Sequence, residues 1–233
     1  MGSRVAYLAD VLDRLQELYR KNLSPLRKSA VELYGGEGAT INRALALQDK
    51  IRGPQSAAKF WKLQDEVTDD MEIYGDMNRA VEFPEIIGAL DNTILQAPRL
   101  DEPADVYRIL RGDRRRPIAG HSPGYLSTSA APEAAFKSGV QSRNRDAERV
   151  DRLIKIGIPE NDPLLYVHPR IGGFAGEKEV LLPRNKRLRP AGVEKISDDM
   201  MDQYLDAPES EDASLHRMLF KYDLLDRAEG GRV

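Results

Sequence analysis

The chain has 233 residues, enough for one large domain or one domain with a helical annex. Its hydrophobic (41%) and charged (31%) fractions are those of an ordinary globular protein, and a net charge of −3 gives no global pull toward nucleic acid or anionic membrane. Without cysteine there are no disulfides, thiolate metal sites or cysteine nucleophiles, and three scattered histidines (His121, His168, His216) cannot build a histidine-rich metal site, so no metal is expected.

In chain order, Met1-Gly2-Ser3 reads as a remnant of cloning, so the missing export signal at this end is uninformative. No apolar run approaches the roughly 20 residues of a membrane span, and no membrane partner is expected. Val5, Leu8, Leu12, Leu15 and Tyr19 recur at three- and four-residue spacing and predict an amphipathic helix of about five turns. A second helix should follow Pro25 and end at Gly35-Gly36, with Thr40 capping a third over residues 41–47. Two more helical stretches fall near residues 55–74 and 84–96. Residues 1–100 therefore form a helical region.

Beyond Pro98–Pro103 the pattern changes. Residues 106–110 and 124–129 are strand-like, 131–140 helical, and 153–158, 164–168 and 179–182 are further strand candidates. Helices first and strands afterwards predict an α+β fold, with 101–196 as its mixed β core. In the remaining segment, 197–233, residues 197–212 hold seven acidic and no basic residues. Leu215, Met218, Leu219, Tyr222 and Leu225 then follow helical spacing, predicting an acidic linker and a C-terminal amphipathic helix. That helix packs back on the domain or binds a partner.

Three separated segments carry chemistry. Arg108 lies inside the apolar run Val106-Tyr107-Arg108-Ile109-Leu110, where a guanidinium needs an anionic partner; alone, a buried ion pair or a solvent-facing position explains it equally well. In Gly124-Tyr125-Leu126-Ser127-Thr128-Ser129, followed by Phe136, hydroxyls two apart on a strand share a face and can fix a carboxylate or an arginine. In Ile171-Gly172-Gly173-Phe174-Ala175-Gly176-Glu177-Lys178-Glu179, a glycine-rich loop with one aromatic runs into two glutamates spaced i, i+2. Like charges there disturb each other's titration, which a purely structural strand avoids.

A strand arginine, a Ser-Thr-Ser strand and a Glu-x-Glu after an aromatic loop, in this order, resemble the Arg–Ser–Glu group of mono-ADP-ribosyltransferases, the arginine-specific bacterial toxin and effector type. The resemblance covers roughly residues 30–196 and includes Tyr34 to Leu45, similar to the family's helix–glycine–helix segment with its asparagine, here Asn42. It implies a core of two packed small β-sheets around a cleft for NAD, a co-substrate. Arg108 would grip the NAD phosphates, with Arg111 the rival for that task. Ser127, Thr128 and Phe136 would line the cofactor site, and Ser127 would position the catalytic glutamate. Glu179 would hydrogen-bond the nicotinamide ribose and stabilise the cation formed as nicotinamide leaves, as fixed negative charge does in glycoside hydrolysis. Glu177 would bind the incoming guanidinium and help deprotonate it, and Phe174 would recognise the target.

Gly124 stands where many relatives have asparagine, and Lys137, Arg143 and Arg145 compete for the second phosphate contact. Two basic clusters, Arg111 with Arg114 to Arg116 and Arg184 with Lys186, Arg187 and Arg189, read as solvated loop charges rather than a nucleic-acid surface. The resemblance thus implies an enzyme that ADP-ribosylates arginine on a protein target, secreted or translocated into a host cell. The alternative is a protein of this fold with an altered NAD site that holds an arginine-bearing peptide or protein.

Overall fold

A computed structural model describes residues 3–48, 50–74, 81–110, 120–121, 123–135, 150–168, 178–205, 214–215 and 218–225. Four helices come first: α1 (Ser3–Lys21), α2 (Pro25–Gln48), α3 (Pro54–Tyr74) and α4 (Phe83–Gln96). The strands follow as β1 (Ala104–Leu110), β2 (Gly120–His121), β3 (Leu126–Ser129), β4 (Val150–Ile158), β5 (Leu165–Tyr166), β6 (Glu179–Leu182) and β7 (Arg187–Lys195). Helix α5 (Asp198–Leu205) precedes β8 (Ser214–Leu215) and β9 (Met218–Leu225). This is the expected α+β arrangement.

The strands run in the order β2-β7-β9-β4-β1-β3-β6-β5, with β8 added beside β4. Strand β1 pairs with β4 along its whole length, from Ala104↔Ile158 to Leu110↔Arg152. Against β3 it has the single register pair Tyr107↔Ser129. The sheet is therefore two half-sheets, β2-β7-β9-β4-β1 and β3-β6-β5, joined at a narrow seam.

Three apolar clusters hold the layers together. Helices α2, α3 and α4 bury Leu33, Ile41, Val67, Ile86 and Leu90 against Tyr125, Leu165 and Leu181 of the smaller half-sheet. Ala9 and Leu12 of α1 pack with Val106, Ile154, Ile156, Val180 and Leu182. Met200 and Met201 of α5 lie against Tyr107, Leu153 and Leu219 on the larger half-sheet.

Some local details differ. The break expected at Gly35-Gly36 falls at Glu37 (φ −111°, ψ 18°), where the two helical segments of α2 meet across a kink. Thr40 is buried, and its hydroxyl donates to the Glu37 carboxylate at 2.9 Å instead of capping a new helix. On α1 the buried face is Ala9, Leu12, Gln16 and Arg20, while Leu15 is 40% exposed. Buried Gln16 turns the helix that way: its amide donates to Pro98 O (3.1 Å) and Leu164 O (3.0 Å) and accepts Tyr166 N–H (2.8 Å), capping strand β5.

The C-terminal amphipathic helix is instead strand β9, parallel to β4 and antiparallel to β7. Leu219 faces the cluster with Met200, and Tyr222 and Leu224 face the cluster with Ile154. Apolar residues directed to both clusters break strict alternation, so the spacing passes for helical. Part of the expected acidic linker is α5, where Asp198 and Asp199 fill the first turn, favourable at a helix N-terminus, and the Ser197 hydroxyl accepts Met200 N–H.

Candidate active site

Strands β3 and β6 run antiparallel with Ser127 opposite Leu181 and Ser129 opposite Glu179. Ser127 and Glu179 are thus diagonal neighbours on one face, and Ser127 Oγ donates to Glu179 Oε1 at 2.6 Å. Across the seam, Arg108 Nη1 of β1 donates to the Ser127 carbonyl at 3.0 Å. Residues far apart in sequence therefore converge around Ser127. Thr128, expected among the cofactor contacts, does not join them. Strand alternation turns it to the opposite face, where it is 3% exposed and its hydroxyl donates to Val180 O at 2.7 Å.

Helix α2 supplies the other wall. The Asn42 amide accepts Tyr125 N–H at 2.9 Å and donates to Tyr125 O at 3.1 Å, so it stands in for a neighbouring strand at the head of β3. The same Nδ2 donates to Tyr34 Oη at 3.0 Å. Buried Tyr34 packs edge-on against Tyr125 with ring centroids 5.5 Å apart. Its ring lies so close to the next turn that a Cβ on Gly38 would sit 3.0 Å from it. Tyr125 in turn donates to Asp91 Oδ1 of α4 at 2.9 Å, and Arg184 clasps Asp91 through Nε and Nη2 at 2.8–3.0 Å. Sequence reasoning singled out the segment holding Tyr34 and Asn42 but not its bonds to Tyr125, which only the fold creates.

The electrostatics follow from burial. Glu179 is 8% exposed, and desolvation raises its carboxyl above the ordinary value, opposed by the Ser127 hydrogen bond and by Arg108. Desolvation likewise lowers Arg108, with Tyr34 and Glu179 opposing. Burial also drives the Tyr34 hydroxyl upward, so it stays protonated. A buried carboxylate beside a serine donor and a guanidinium is suited to meet a ligand carrying both a developing cation and anionic groups.

Residues 116–208 match the family model described as ADP-ribosyltransferase exoenzyme. Over that stretch the chain is similar to the ADP-ribosyltransferase exoenzymes. No curated protein matches the sequence. Among solved structures, it is similar to Plx2a, an ADP-ribosyltransferase toxin from Paenibacillus larvae (TM-score 0.56, 17% identity, 96% of this chain and 97% of that one). It is also similar to Vis toxin from Vibrio splendidus (TM-score 0.54, 15% identity, 100% and 90%). C3stau2 from S. aureus, solved with NAD, is similar as well (TM-score 0.53, 16% identity, 97% of each chain). At these identities the likeness is one of fold.

Arg111, Phe136, Phe174 and Glu177 lie outside the described residues. Strand β6 begins at Glu179, and Lys178 before it has a left-handed φ of +46°. Of the second basic cluster, Arg184 pairs with Asp91, Lys186 with Asp162 and Arg189 with Asp223. Its charge is thus largely engaged within the fold. Among the described residues, no group of three His, Cys, Asp or Glu could hold a metal ion, and no helix is long and apolar enough to cross a membrane.

Proposed function

We propose that this protein cleaves NAD and transfers ADP-ribose to an arginine side chain of a protein target, acting as a secreted or translocated effector in a host cell. The observation that carries the reading is the 2.6 Å bond from Ser127 to Glu179 with Arg108 bonded to the Ser127 carbonyl. Glu179, fixed by Ser127, faces the nicotinamide ribose and balances the positive charge that grows at its anomeric carbon as the C–N bond breaks and neutral nicotinamide leaves. Arg108 holds the pyrophosphate, a task suited to a planar, permanently charged fork. A guanidine nitrogen of the acceptor then bonds to that carbon, and its proton passes to Glu177.

Arginine as acceptor rests on Glu177 in the Glu-x-Glu sequence, a carboxylate that can pair with a guanidinium. Vis toxin, one of the similar structures, has been solved with agmatine, a small molecule ending in a guanidinium. The test is mass spectrometry of a host-cell lysate incubated with the protein and labelled NAD. Modification on arginine, lost in Glu177→Gln while NAD hydrolysis persists, is the expected result. Labelling of another residue type, or equal loss of both activities in that variant, overturns the arginine assignment.

A further inference from the structure

Lys178 stands between the two glutamates in the left-handed region, φ +46°. The other described non-glycine residues with positive φ are Asn161 and Asn185, and asparagine tolerates that region far better than lysine does. Something must therefore hold Lys178 there. Its carbonyl accepts Ala130 N–H at 2.9 Å, and its ammonium donates to Glu133 Oε1 at 3.2 Å. Glu133 belongs to the helical turn at 132–135 that follows directly on β3. The segment after Ser127 and the segment before Glu179 are thus tied together twice, once by backbone and once by an ion pair.

Glu179 itself does not need the ion pair. Its backbone is paired with Ser129 and accepts Val167 N–H at 2.9 Å, and its carboxylate is held by Ser127. Lys178 is joined in sequence to Glu177 on its other side, so whatever fixes the Lys178 backbone bears on that neighbour.

We propose that the Glu133–Lys178 ion pair positions the acceptor side of the reaction: it holds the left-handed turn and so governs whether arginine or water takes the ADP-ribosyl group. This rests on the transferase reading above. Glu133 and Lys178 are positioning residues, acting through the turn and touching neither NAD nor acceptor. Their side chains are about one-third exposed (37% and 32%), so the pair is a modest interaction. A modest interaction suffices to bias a choice between acceptors without disturbing the fold.

The experiment compares transfer to agmatine with NAD hydrolysis in the full chain, for wild type, Lys178→Met, Glu133→Gln, Lys178→Gly and Lys178→Arg. In the Met and Gln variants, hydrolysis should stay within about twofold while transfer falls about fivefold, the scale one modest ion pair can supply. Lys178→Gly takes up the left-handed turn without strain and so without the tie, and Lys178→Arg keeps the tie; both should transfer close to wild type. A transfer-to-hydrolysis ratio equal to wild type in both Lys178→Met and Glu133→Gln overturns the proposal, as does a parallel fall of both activities with the melting temperature. Wild-type protein that cleaves no NAD overturns the transferase reading itself.

Discussion

Gly124 and Asn42 interlock: a Cβ on Gly124 would lie 2.2 Å from Asn42 Oδ1 and 2.7 Å from its Cγ. Side-chain carbons do not approach that closely, so glycine is required wherever Asn42 braces the head of β3. The absence of a larger residue before this strand, which looks like a departure from the resembled family, has a local physical cause.

Gly124→Ala should therefore destabilise the fold by about 1–3 kcal/mol, the usual scale of an overpacked contact. Combining it with Asn42→Ala, which removes the clashing amide, should cost less than the sum of the two single changes. Urea denaturation of the three variants measures this coupling, and strict additivity would show that the two residues do not meet.

Glu179→Gln should lose NAD cleavage by roughly 10²–10³, the scale of one lost electrostatic contact in the transition state. The same change should raise stability at neutral pH. Burial holds the folded carboxyl above its unfolded value, so between the two values the native state binds more protons and stability falls as pH rises. Below the unfolded value both states are protonated and the variant's advantage should vanish. Melting curves from acid to neutral pH check the sign; an advantage that shrinks as pH rises contradicts it.

Arg108→Ala should abolish the stabilisation that NAD confers. A ligand binding only the folded state at about 100 times its dissociation constant adds roughly 2.7 kcal/mol, visible as a melting shift. If the shift persists in Arg108→Ala and disappears in Arg111→Ala, the phosphate grip belongs to Arg111.

Gln16→Leu keeps similar volume but strands two buried groups, Tyr166 N–H and Leu164 O, and the part-buried Pro98 O. Each unsatisfied group costs about 1–3 kcal/mol, so the variant should melt well below wild type. Agmatine transfer below its melting point should be nearly normal, since Gln16 lies in α1, away from Ser127 and Glu179.

The helical first hundred residues and strands β1, β3 and β6 were legible because each has a clear period or a compact motif. Strand β7 was not, because it is almost entirely exposed, alternates no apolar residues and includes Pro190 and Gly192. Strand β9 misled for another reason: Leu219, Phe220, Tyr222 and Leu224 serve both faces and do not strictly alternate, so they pass for helical spacing. At the site, Ser127, Glu179 and Arg108 could be picked out by residue type, but their mutual distances come from the β1–β3 and β3–β6 registers, which no local pattern encodes. Thr128 shares the motif with Ser127, but strand alternation sends its hydroxyl to Val180 O on the other face.

The narrow seam between β1 and β3 gives Arg108 two duties at once. Where the ladder offers one register pair, its guanidinium is a side-chain stitch between the half-sheets, and it belongs to the same residue proposed to grip the pyrophosphate. A dinucleotide held by Arg108 on one side and Glu179 on the other would span this joint and clamp it. Ligand occupancy and the angle between the half-sheets are then mechanically linked, so NAD should slow amide exchange most at Tyr107 and Ser129, in the hinge rather than in the walls.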